Sequence, residues 1–231
     1  MAVRLRVVVF NVRGFRNGHE RLVRLVGHFT PDVVLLNESG ARWHLPRFAR
    51  KLGMAVAKDP WSPFRRRVKD AVLVRPPWRI VEHRQHRFEG GPWLYPRGAL
   101  VARLEHPELA RLCAIAIHLG LHPRERLAHA RQLVALVRDV REPIVVGGDL
   151  NEHPDGRAVS LLGERFPDTW LLAGDVAGET FPADEPTARI DYLFASDEIV
   201  VDKVLVPPGP DAREASDHRP LVAELTLLPQ G

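Results

Sequence analysis

Short hydrophobic runs and amphipathic stretches follow each other along the whole chain. The runs are rich in valine, isoleucine and leucine, which is typical of strands buried in a sheet. They predict ten strands, over residues 5–12, 33–36, 70–74, 79–86, 98–104, 112–118, 144–146, 190–195, 200–206 and 220–227.

Apolar residues at helical spacing predict helices between several of these strands. The stretch 19–29 has apolar residues at positions 22, 23, 25, 26 and 29, and the stretch 124–141 has them at 127, 130, 133, 134 and 137. Shorter helices are predicted over 46–52 and 157–166. The strands in the middle of the chain follow one another without long helices, so we expect hairpins and a mixed sheet rather than a parallel one.

Polar side chains recur where the apolar strands begin or end. Six strands show the pattern, with Asn11, Asn37-Glu38, His118, Asp149 and Asn151, Asp191, and Asp217-His218. One such residue is ordinary, since a lone histidine is usually a hydrogen-bonded core residue and a lone carboxylate usually caps a helix. A sheet edge that gathers several buried carboxylates needs a cation, because an unpaired buried charge costs much free energy.

The donor atoms of this set indicate which cation binds. They are carboxylate and amide oxygens, and the single cysteine, Cys113, lies in an apolar strand. Oxygen donors favour magnesium or manganese over zinc. Asp149 and Asn151 lie on one side of an extended backbone, so a carboxylate can take a proton beside an amide that holds water or an oxyanion. With His118 and His218 to stabilise phosphoryl charge, the set indicates metal-assisted hydrolysis of a phosphate ester.

Two neighbouring features refine this hypothesis. Gly147 and Gly148, just before the aspartate of the GGDLN segment, allow close backbone packing beneath the site. Ser216 is followed directly by an aspartate and a histidine. Three consecutive residues cannot line up as a nucleophile, a base and an orienting group, so a serine hydrolase is excluded.

Composition adds a preference for anionic partners. The chain has 231 residues and a formal net charge of +4. Of its 33 basic residues, 29 are arginine, whose planar fork fits phosphate oxygens. A GC-rich genome or a warm habitat explains the same excess. With 45% hydrophobic and 27% charged residues, the chain suits a single globular domain over residues 1–231.

The hydrophobic runs also bear on location. None approaches the ~18 apolar residues that a membrane span needs. The first ten residues lack the long apolar stretch and cleavage site of a secretory leader. One cysteine can form no internal disulfide, so we expect a cytoplasmic protein without a membrane span.

Two loops are candidates for substrate contacts. The first, WSPFRRRVK, covers residues 61–69 and contains Trp61, Phe64, Arg65, Arg66 and Arg67. Its arginines could bind a phosphodiester polyanion while an aromatic ring stacks on a base. Alternatively it is a solvated connection whose arginines pair with Asp59 and Asp70. The second loop, residues 89–97, contains two glycines and two prolines, and could frame a site or be an ordinary connection.

The order of the motifs resembles the endonuclease/exonuclease/phosphatase superfamily. The segments GGDLNEHP, RIDYLF and SDHRPL are weak signals singly and specific together, and the resemblance runs from Val7 to Leu221. The superfamily includes deoxyribonuclease I, abasic endonucleases, sphingomyelinases and inositol polyphosphate 5-phosphatases. The resemblance implies a four-layered α/β sandwich, with two mixed β-sheets face to face and helices outside. It also implies a divalent metal, usually magnesium, at one mouth of the sandwich.

The resemblance implies a metal-binding side of the site. Glu38 matches the main metal-binding glutamate, Asn11 an asparagine beside it, and Asp217 a second acidic residue on that side. The chain departs from the pattern at Arg13, where many abasic endonucleases have aspartate. It also has Asn37 before the glutamate, where glutamine is usual.

The resemblance also implies a catalytic side. Asp149 matches the aspartate that orients or deprotonates the attacking water, and Asn151 matches the neighbouring amide. His218 matches the histidine that contacts the scissile phosphate, and Asp191 the aspartate that orients this histidine. His118 lies where deoxyribonuclease-like and sphingomyelinase-like members have histidine.

Arg97, in the segment PRGAL, loosely resembles a position that supports the substrate phosphate. Together the residues predict a magnesium- or manganese-dependent phosphoester hydrolase, with a nuclease acting on DNA or RNA as the leading hypothesis. A phosphodiesterase or phosphatase for a small or lipid substrate is the main alternative. A catalytically inactive binding module is a remote one, since the catalytic set is complete.

Overall fold

The hydrophobic runs form strands. The computed structural model describes residues 2–60, 66–91, 95–108, 110–175 and 178–229. The strands are β1 (Val3–Asn11), β2 (Val33–Asn37), β3 (Ala55–Lys58), β4 (Ala71–Val74), β5 (Arg79–Arg87), β6 (Gly98–Glu105), β7 (Arg111–His118), β8 (Ile144–Asp149), β9 (Asp191–Ala195), β10 (Ile199–Leu205) and β11 (Leu221–Leu227). All ten predicted strands are therefore present.

The amphipathic stretches form helices between these strands. They are α1 (His19–His28), α2 (His44–Leu52), α3 (Pro123–Leu136), α4 (Arg157–Gly163), α5 (Thr169–Ala173) and α6 (Pro210–Ala215), with a 3-10 turn at Arg13–Phe15. No helix in the described ranges is long and apolar enough to cross a membrane.

The strands form two mixed sheets. The first has six strands in the order β10-β11-β1-β2-β4-β3, and the second has five in the order β5-β6-β7-β8-β9. Each contains one parallel pair, β1 with β2 and β7 with β8, while the other neighbours are antiparallel. The prediction of mixed sheets is confirmed.

Three apolar cores explain why the strands read as continuous hydrophobic runs. Along β1, Val7 and Val9 point into a core between the two sheets, while Val8 and Phe10 point to the opposite face. Helices α1, α2 and α6 cover the outer face of the six-stranded sheet, and α3 and α4 cover the outer face of the other. Because each sheet is covered on both faces, the chain is a four-layered α/β sandwich, as predicted.

The structure corrects the prediction at short elements and at helix ends. The helix predicted over 124–141 ends at Leu136, and the apolar Val137 is buried without continuing it. Strand β3 was not predicted, because alanine has low strand propensity and the strand lies at a sheet edge. Helix α6 begins at Pro210 within a proline-rich stretch that resembles a loop, although proline is favoured at a helix's first position.

Candidate active site

The strand ends that carry polar residues meet at one end of the sandwich. In the five-stranded sheet, Asp149 pairs in register with His118 on one side and with Asp191 on the other. In the six-stranded sheet, Asn11 pairs with Asn37. We call this end of the sandwich the mouth, and it contains the predicted residues Asn11, His118, Asp149, Asn151, Asp191, Asp217 and His218.

Asp149 lies at the centre of the mouth. Its Oδ2 accepts a hydrogen bond from Asn11 Nδ2 at 3.0 Å and lies 3.3 Å from His118 Nε2 and 3.7 Å from His218 Nε2. Its Oδ1 accepts the backbone N–H of Asn151 at 2.9 Å. The side chain is 2% exposed. One buried carboxylate thus connects the two sheets and faces both predicted histidines.

The charges of this group follow from its neighbours. Burial alone would raise the pKa of Asp149, but His118 and His218 outweigh it and hold the pKa well below its usual range. Burial alone would lower the pKa of His218, but the charge and hydrogen bond of Asp191, followed by Asp149, raise that pKa to about 10. At neutral pH the mouth therefore contains a carboxylate anion beside an imidazolium.

Asp191 fixes the orientation of His218. Its Oδ2 accepts hydrogen bonds from His218 Nδ1 at 2.8 Å and from Thr180 Oγ1 at 2.6 Å. The ring of Phe181 lies 5.0 Å from the His218 ring, centroid to centroid. Thr180 and Phe181 precede β9 in a segment without a strand-end pattern, so the sequence does not reveal them. Together Asp191, Thr180 and Phe181 hold Nδ1 of His218 against the Asp191 carboxylate, which directs Nε2 of His218 toward Asp149.

Asn37 joins the two sheets beneath the mouth. Its Oδ1 accepts the backbone N–H of Asp149 at 2.9 Å, and its Nδ2 donates to Ile117 O at 3.0 Å and to Asp70 Oδ1 at 2.9 Å. Asp70 is buried, and burial raises its pKa to about 6 against the opposing effect of His118. Asp70 precedes the apolar run of β4, and the sequence alone does not show that this strand runs antiparallel to β2 and so brings Asp70 to the mouth.

The predicted glycine pair allows the close approach of the sheets. A Cβ on Gly147 would lie 2.7 Å from Val9 Cγ2 of the other sheet. A Cβ on Gly148 would lie 1.8 Å from Ile117 O. A larger residue at either position would push the strands apart beneath Asp149.

The predicted metal-binding side has a positive charge close to it. Arg13 Nε lies 3.1 Å from Asp217 Oδ2, and the backbone N–H of Arg13 donates to Asn11 Oδ1 at 3.1 Å. Glu38 follows β2 with a φ of 53°, and its carbonyl accepts the N–H of Gly14 at 2.8 Å. A positive φ is costly for a non-glycine residue and is common at functional sites. A cation bound at Asp217 would have to compete with the Arg13 ion pair.

Donor groups suited to a cation are present at the mouth. Ligand atoms of Asp149, Asp191 and His218 all lie within 4.8 Å of one another, so this group could hold a metal ion. Among the described residues, Asp191 Oδ1 and Asp70 Oδ2 are buried and have no hydrogen-bond partner. Such oxygens fit a hard divalent cation. A protonated imidazole has no free lone pair, so His218 suits this role less than the carboxylates do.

Arg97, at the end of the second candidate loop, contacts the mouth. Arg97 Nη1 donates to His118 Nδ1 at 2.8 Å, which brings its charge close to the Asp149 carboxylate that His118 faces. Of the arginine-rich loop, Arg66 is exposed and Arg67 donates to Gly40 O at 2.5 Å. Trp61, Phe64 and Arg65 lie outside the described residues.

Fold and site together define a sandwich with a carboxylate–histidine centre at one mouth. The model of the endonuclease/exonuclease/phosphatase family matches residues 8–218 of the chain. The chain therefore belongs to this family, whose members are phosphoester hydrolases. No curated protein sequence matches it.

Solved structures share the fold at low sequence identity. An endonuclease/exonuclease/phosphatase from Bacteroides vulgatus has a TM-score of 0.86 at 17% identity, covering 97% of this chain and 99% of that one. A mannosyl-6-phosphatase from Bacteroides thetaiotaomicron has a TM-score of 0.77 at 18% identity, covering 96% and 99%. D. rerio TDP2 complexed with single strand DNA product has a TM-score of 0.76 at 16% identity, covering 96% and 98%. At these identities the likeness supports the fold alone.

Proposed function

We propose that the chain is a divalent-metal-dependent phosphodiesterase, a nuclease that cleaves DNA or RNA by attack of water on phosphorus, in one catalytic domain over residues 1–231. The observation that carries this proposal is the arrangement around Asp149. An anionic carboxylate lies 3.7 Å from a protonated imidazole, in a buried mouth that joins two sheets. This arrangement can accept a proton from water on one side and stabilise phosphoryl charge on the other.

Asp149 and Asn151 act on the attacking water. The low pKa of Asp149 keeps its carboxylate ionised, so it can orient a water molecule by a hydrogen bond. The same carboxylate is the group within reach to accept the proton of that water. The backbone N–H of Asn151 holds the other carboxylate oxygen at 2.9 Å. The Asn151 side chain donates to Leu119 O at 3.2 Å, which leaves its amide oxygen to hold the water.

His218 and His118 act on the phosphate. Because Asp191 accepts from Nδ1 of His218, the Nε2 proton is directed to a phosphoryl oxygen, where it stabilises the developing negative charge. Asp191 acts through the histidine and is a positioning residue. His118 and Arg97 bring a second imidazole and a permanent cation to the opposite side of Asp149.

Glu38, Asn11 and Asp217 would hold the magnesium or manganese ion, and their oxygen donors suit these metals. Such an ion, when bound, neutralises charge on the phosphoryl oxygens and lowers the pKa of bound water.

Nucleic acid is the favoured substrate over a small or lipid phosphoester. The described residues near the mouth include the cations Arg66, Arg67 and Arg97, which favour a polyanion. The likeness to TDP2 complexed with single strand DNA product is compatible with this choice. The likeness to a mannosyl-6-phosphatase supports the alternative, a small phosphoester.

A substrate panel tests the proposal. One purified sample is assayed with single-stranded DNA, plasmid, RNA, sphingomyelin, a hexose 6-phosphate and inositol phosphates, in magnesium, in manganese and in EDTA. We expect the highest kcat/KM on a nucleic acid and no turnover in EDTA. The highest turnover on a sugar phosphate or a lipid would favour the alternative, a small or lipid phosphoester substrate. Turnover that persists in EDTA would refute metal dependence.

A further inference from the structure

A cavity of about 650 Å³ lies beside the mouth and is not used by the proposed chemistry. Its described lining includes five cationic residues, Arg42, Lys58, Arg66, Arg67 and Lys69. It also includes two aromatic residues, Trp43 and Tyr95. We call this feature the basic cavity. Its volume is within the range of ligand-binding sites.

The charge of the basic cavity favours an anion. The described lining contains one carboxylic acid, Asp59, which is buried and accepts the backbone N–H of Val68 at 3.0 Å. The described charged residues of the lining thus give a formal excess of +4, as large as that of the whole chain. Burial, followed by the charges of Arg67 and Arg42, lowers the pKa of Lys58. An anionic ligand would relieve this repulsion between like charges.

The lining of the basic cavity adjoins the mouth at several points along the chain. Gly40 lines it two residues after Glu38, and two residues span at most ~7 Å. Lys69 directly precedes the buried Asp70, and its carbonyl accepts the N–H of Ser39 at 2.8 Å. On the other side, Tyr95 lies two residues before Arg97, which contacts His118 of the mouth. A phosphodiester held at the mouth can therefore continue into the cavity without leaving the protein surface.

The aromatic residues indicate what the anion is attached to. Trp43 is 70% exposed and Tyr95 is 67% exposed, although large aromatic side chains are usually buried. Flat exposed rings next to cations are the combination that binds single-stranded nucleic acid, because each base offers a face for stacking and each linkage a phosphate. A sugar phosphate or a lipid chain offers no aromatic face to these rings.

We propose that the basic cavity is a nucleotide subsite, which binds the phosphate and base that flank the scissile phosphodiester in a single-stranded substrate. The inference rests on the proposed function and names its substrate class. Among the described residues, the contact surface of the subsite comprises Lys69, at the end of the arginine-rich loop, and Arg42, Lys58, Trp43 and Tyr95. A base in a duplex is stacked on its neighbours and cannot reach these rings, so single strands bind better than duplexes.

Binding in EDTA tests the subsite without catalysis. The probe is a fluorescein-labelled pentathymidylate, and anisotropy gives its Kd for the wild type, for Lys58→Gln/Lys69→Gln and for the control Arg4→Gln/Arg111→Gln. The control removes the same amount of positive charge. Arg4 lies seven residues before Asn11 on β1, and Arg111 lies seven residues before His118 on β7, so both are about 23 Å from the mouth.

We expect at least tenfold weaker binding by the lysine variant and less than a twofold change in the control. The lysine variant should also show a shallower dependence of affinity on salt, since fewer counterions are released. No measurable binding by the wild type, equal affinity of wild type and lysine variant, or the same loss in the control would each overturn the subsite.

A second comparison tests stacking on the aromatic rings. Trp43→Ala is measured with pentathymidylate and with a base-free phosphodiester of the same length. The exposed side chain of Trp43 can be removed without leaving a core cavity, so this arm also serves if the lysine variant fails to fold. We expect Trp43→Ala to weaken thymidylate binding about tenfold more than base-free binding. Equal effects on the two probes would overturn the assignment to nucleotides and leave a general anion site.

Turnover separates failure of the subsite from failure of the proposed function. The readout is the ratio of kcat/KM for a short oligothymidylate to that for bis-p-nitrophenyl phosphate, and we expect the lysine variant to lower it at least tenfold. A wild type that binds oligothymidylate but hydrolyses neither substrate would overturn the function and support the subsite. A wild type that hydrolyses both, with an unchanged ratio in the variant, would overturn the subsite and support the function.

Discussion

The mouth lies at the ends of hydrogen-bonded strands, whereas the basic cavity next to it is lined largely by loops. Asp149 and Asp191 are almost completely buried and tied by hydrogen bonds, while Trp43 and Tyr95 are mostly exposed. Strand ends fix the positions of groups that must act on a reacting atom. Loops can vary in sequence without disturbing the sheets, and so suit the selection of substrates. The contrast assigns chemistry to the mouth and substrate preference to the basic cavity.

The largest expected effect is loss of turnover on changing the centre of the mouth. Asp149→Asn removes the proton acceptor, and His218→Ala removes the imidazolium that faces the phosphate. We expect each to lower kcat by at least ~10²-fold, the range for losing a positioned acid–base or charge-stabilising group. Steady-state kinetics with saturating metal measures this. Asp197→Asn, at an exposed aspartate, is the matched control. Near-normal kcat in either mouth variant would refute its assigned role.

Metal affinity gives the next effect. Glu38→Gln keeps the shape of the side chain but removes the charge of the predicted metal ligand. We expect magnesium or manganese to bind at least ~10 times more weakly, with the fold intact, since even groups that only support metal ligands cost about 10–100-fold in affinity when changed. Isothermal titration calorimetry measures this, and Glu198→Gln, at an exposed glutamate, is the control. Unchanged affinity in Glu38→Gln would place the metal elsewhere, with the Asp149 group as the next candidate.

A smaller effect concerns stability. Burial raises the pKa of Asp70 from 3.8 to about 6. Between these two pH values the folded protein keeps a proton on Asp70 that the unfolded chain has already released. Stability from this group is therefore lost as pH rises through 6. We expect Asp70→Asn to stabilise the metal-free protein by roughly 1–3 kcal/mol at pH 8, and by much less at pH 4. Denaturant unfolding in EDTA at both pH values measures this. Equal stabilisation by Asp70→Asn at pH 4 and pH 8 would contradict the raised pKa of Asp70.

The smallest effect concerns Arg13. Its ion pair with Asp217 is partly exposed, with side-chain exposures of 44% and 35%, and such pairs contribute ~0–1 kcal/mol. Arg13→Gln should therefore change stability little, but should raise metal affinity a few-fold because it releases Asp217 and removes a positive charge. The same calorimetry measures it. Weaker metal binding in this variant would show that Arg13 supports the metal side rather than competing with it.

The sequence predicts the mouth better than its surroundings. Asp149 and His118 end apolar strands, and Asp191 and His218 lie at or before others. The order of the family motifs marks these four residues as one site. Asp70 has a similar position before β4, but the direction of that strand is known only from the sheet. The basic cavity combines residues from several distant segments, and hydrophobic periodicity contains no information on how loops approach one another.

Hydrolysis of bis-p-nitrophenyl phosphate by metal-stripped protein tests the central claim most directly. The wild type and Asp149→Asn are assayed side by side, first in EDTA and then with added magnesium or manganese. The account predicts no turnover in EDTA, turnover by the wild type once metal is added, and at least ~10²-fold slower turnover by Asp149→Asn at the same metal concentration. Equal rates for the two proteins, or a wild-type rate indifferent to metal, would contradict the claim that this mouth is a metal-dependent phosphodiesterase centre.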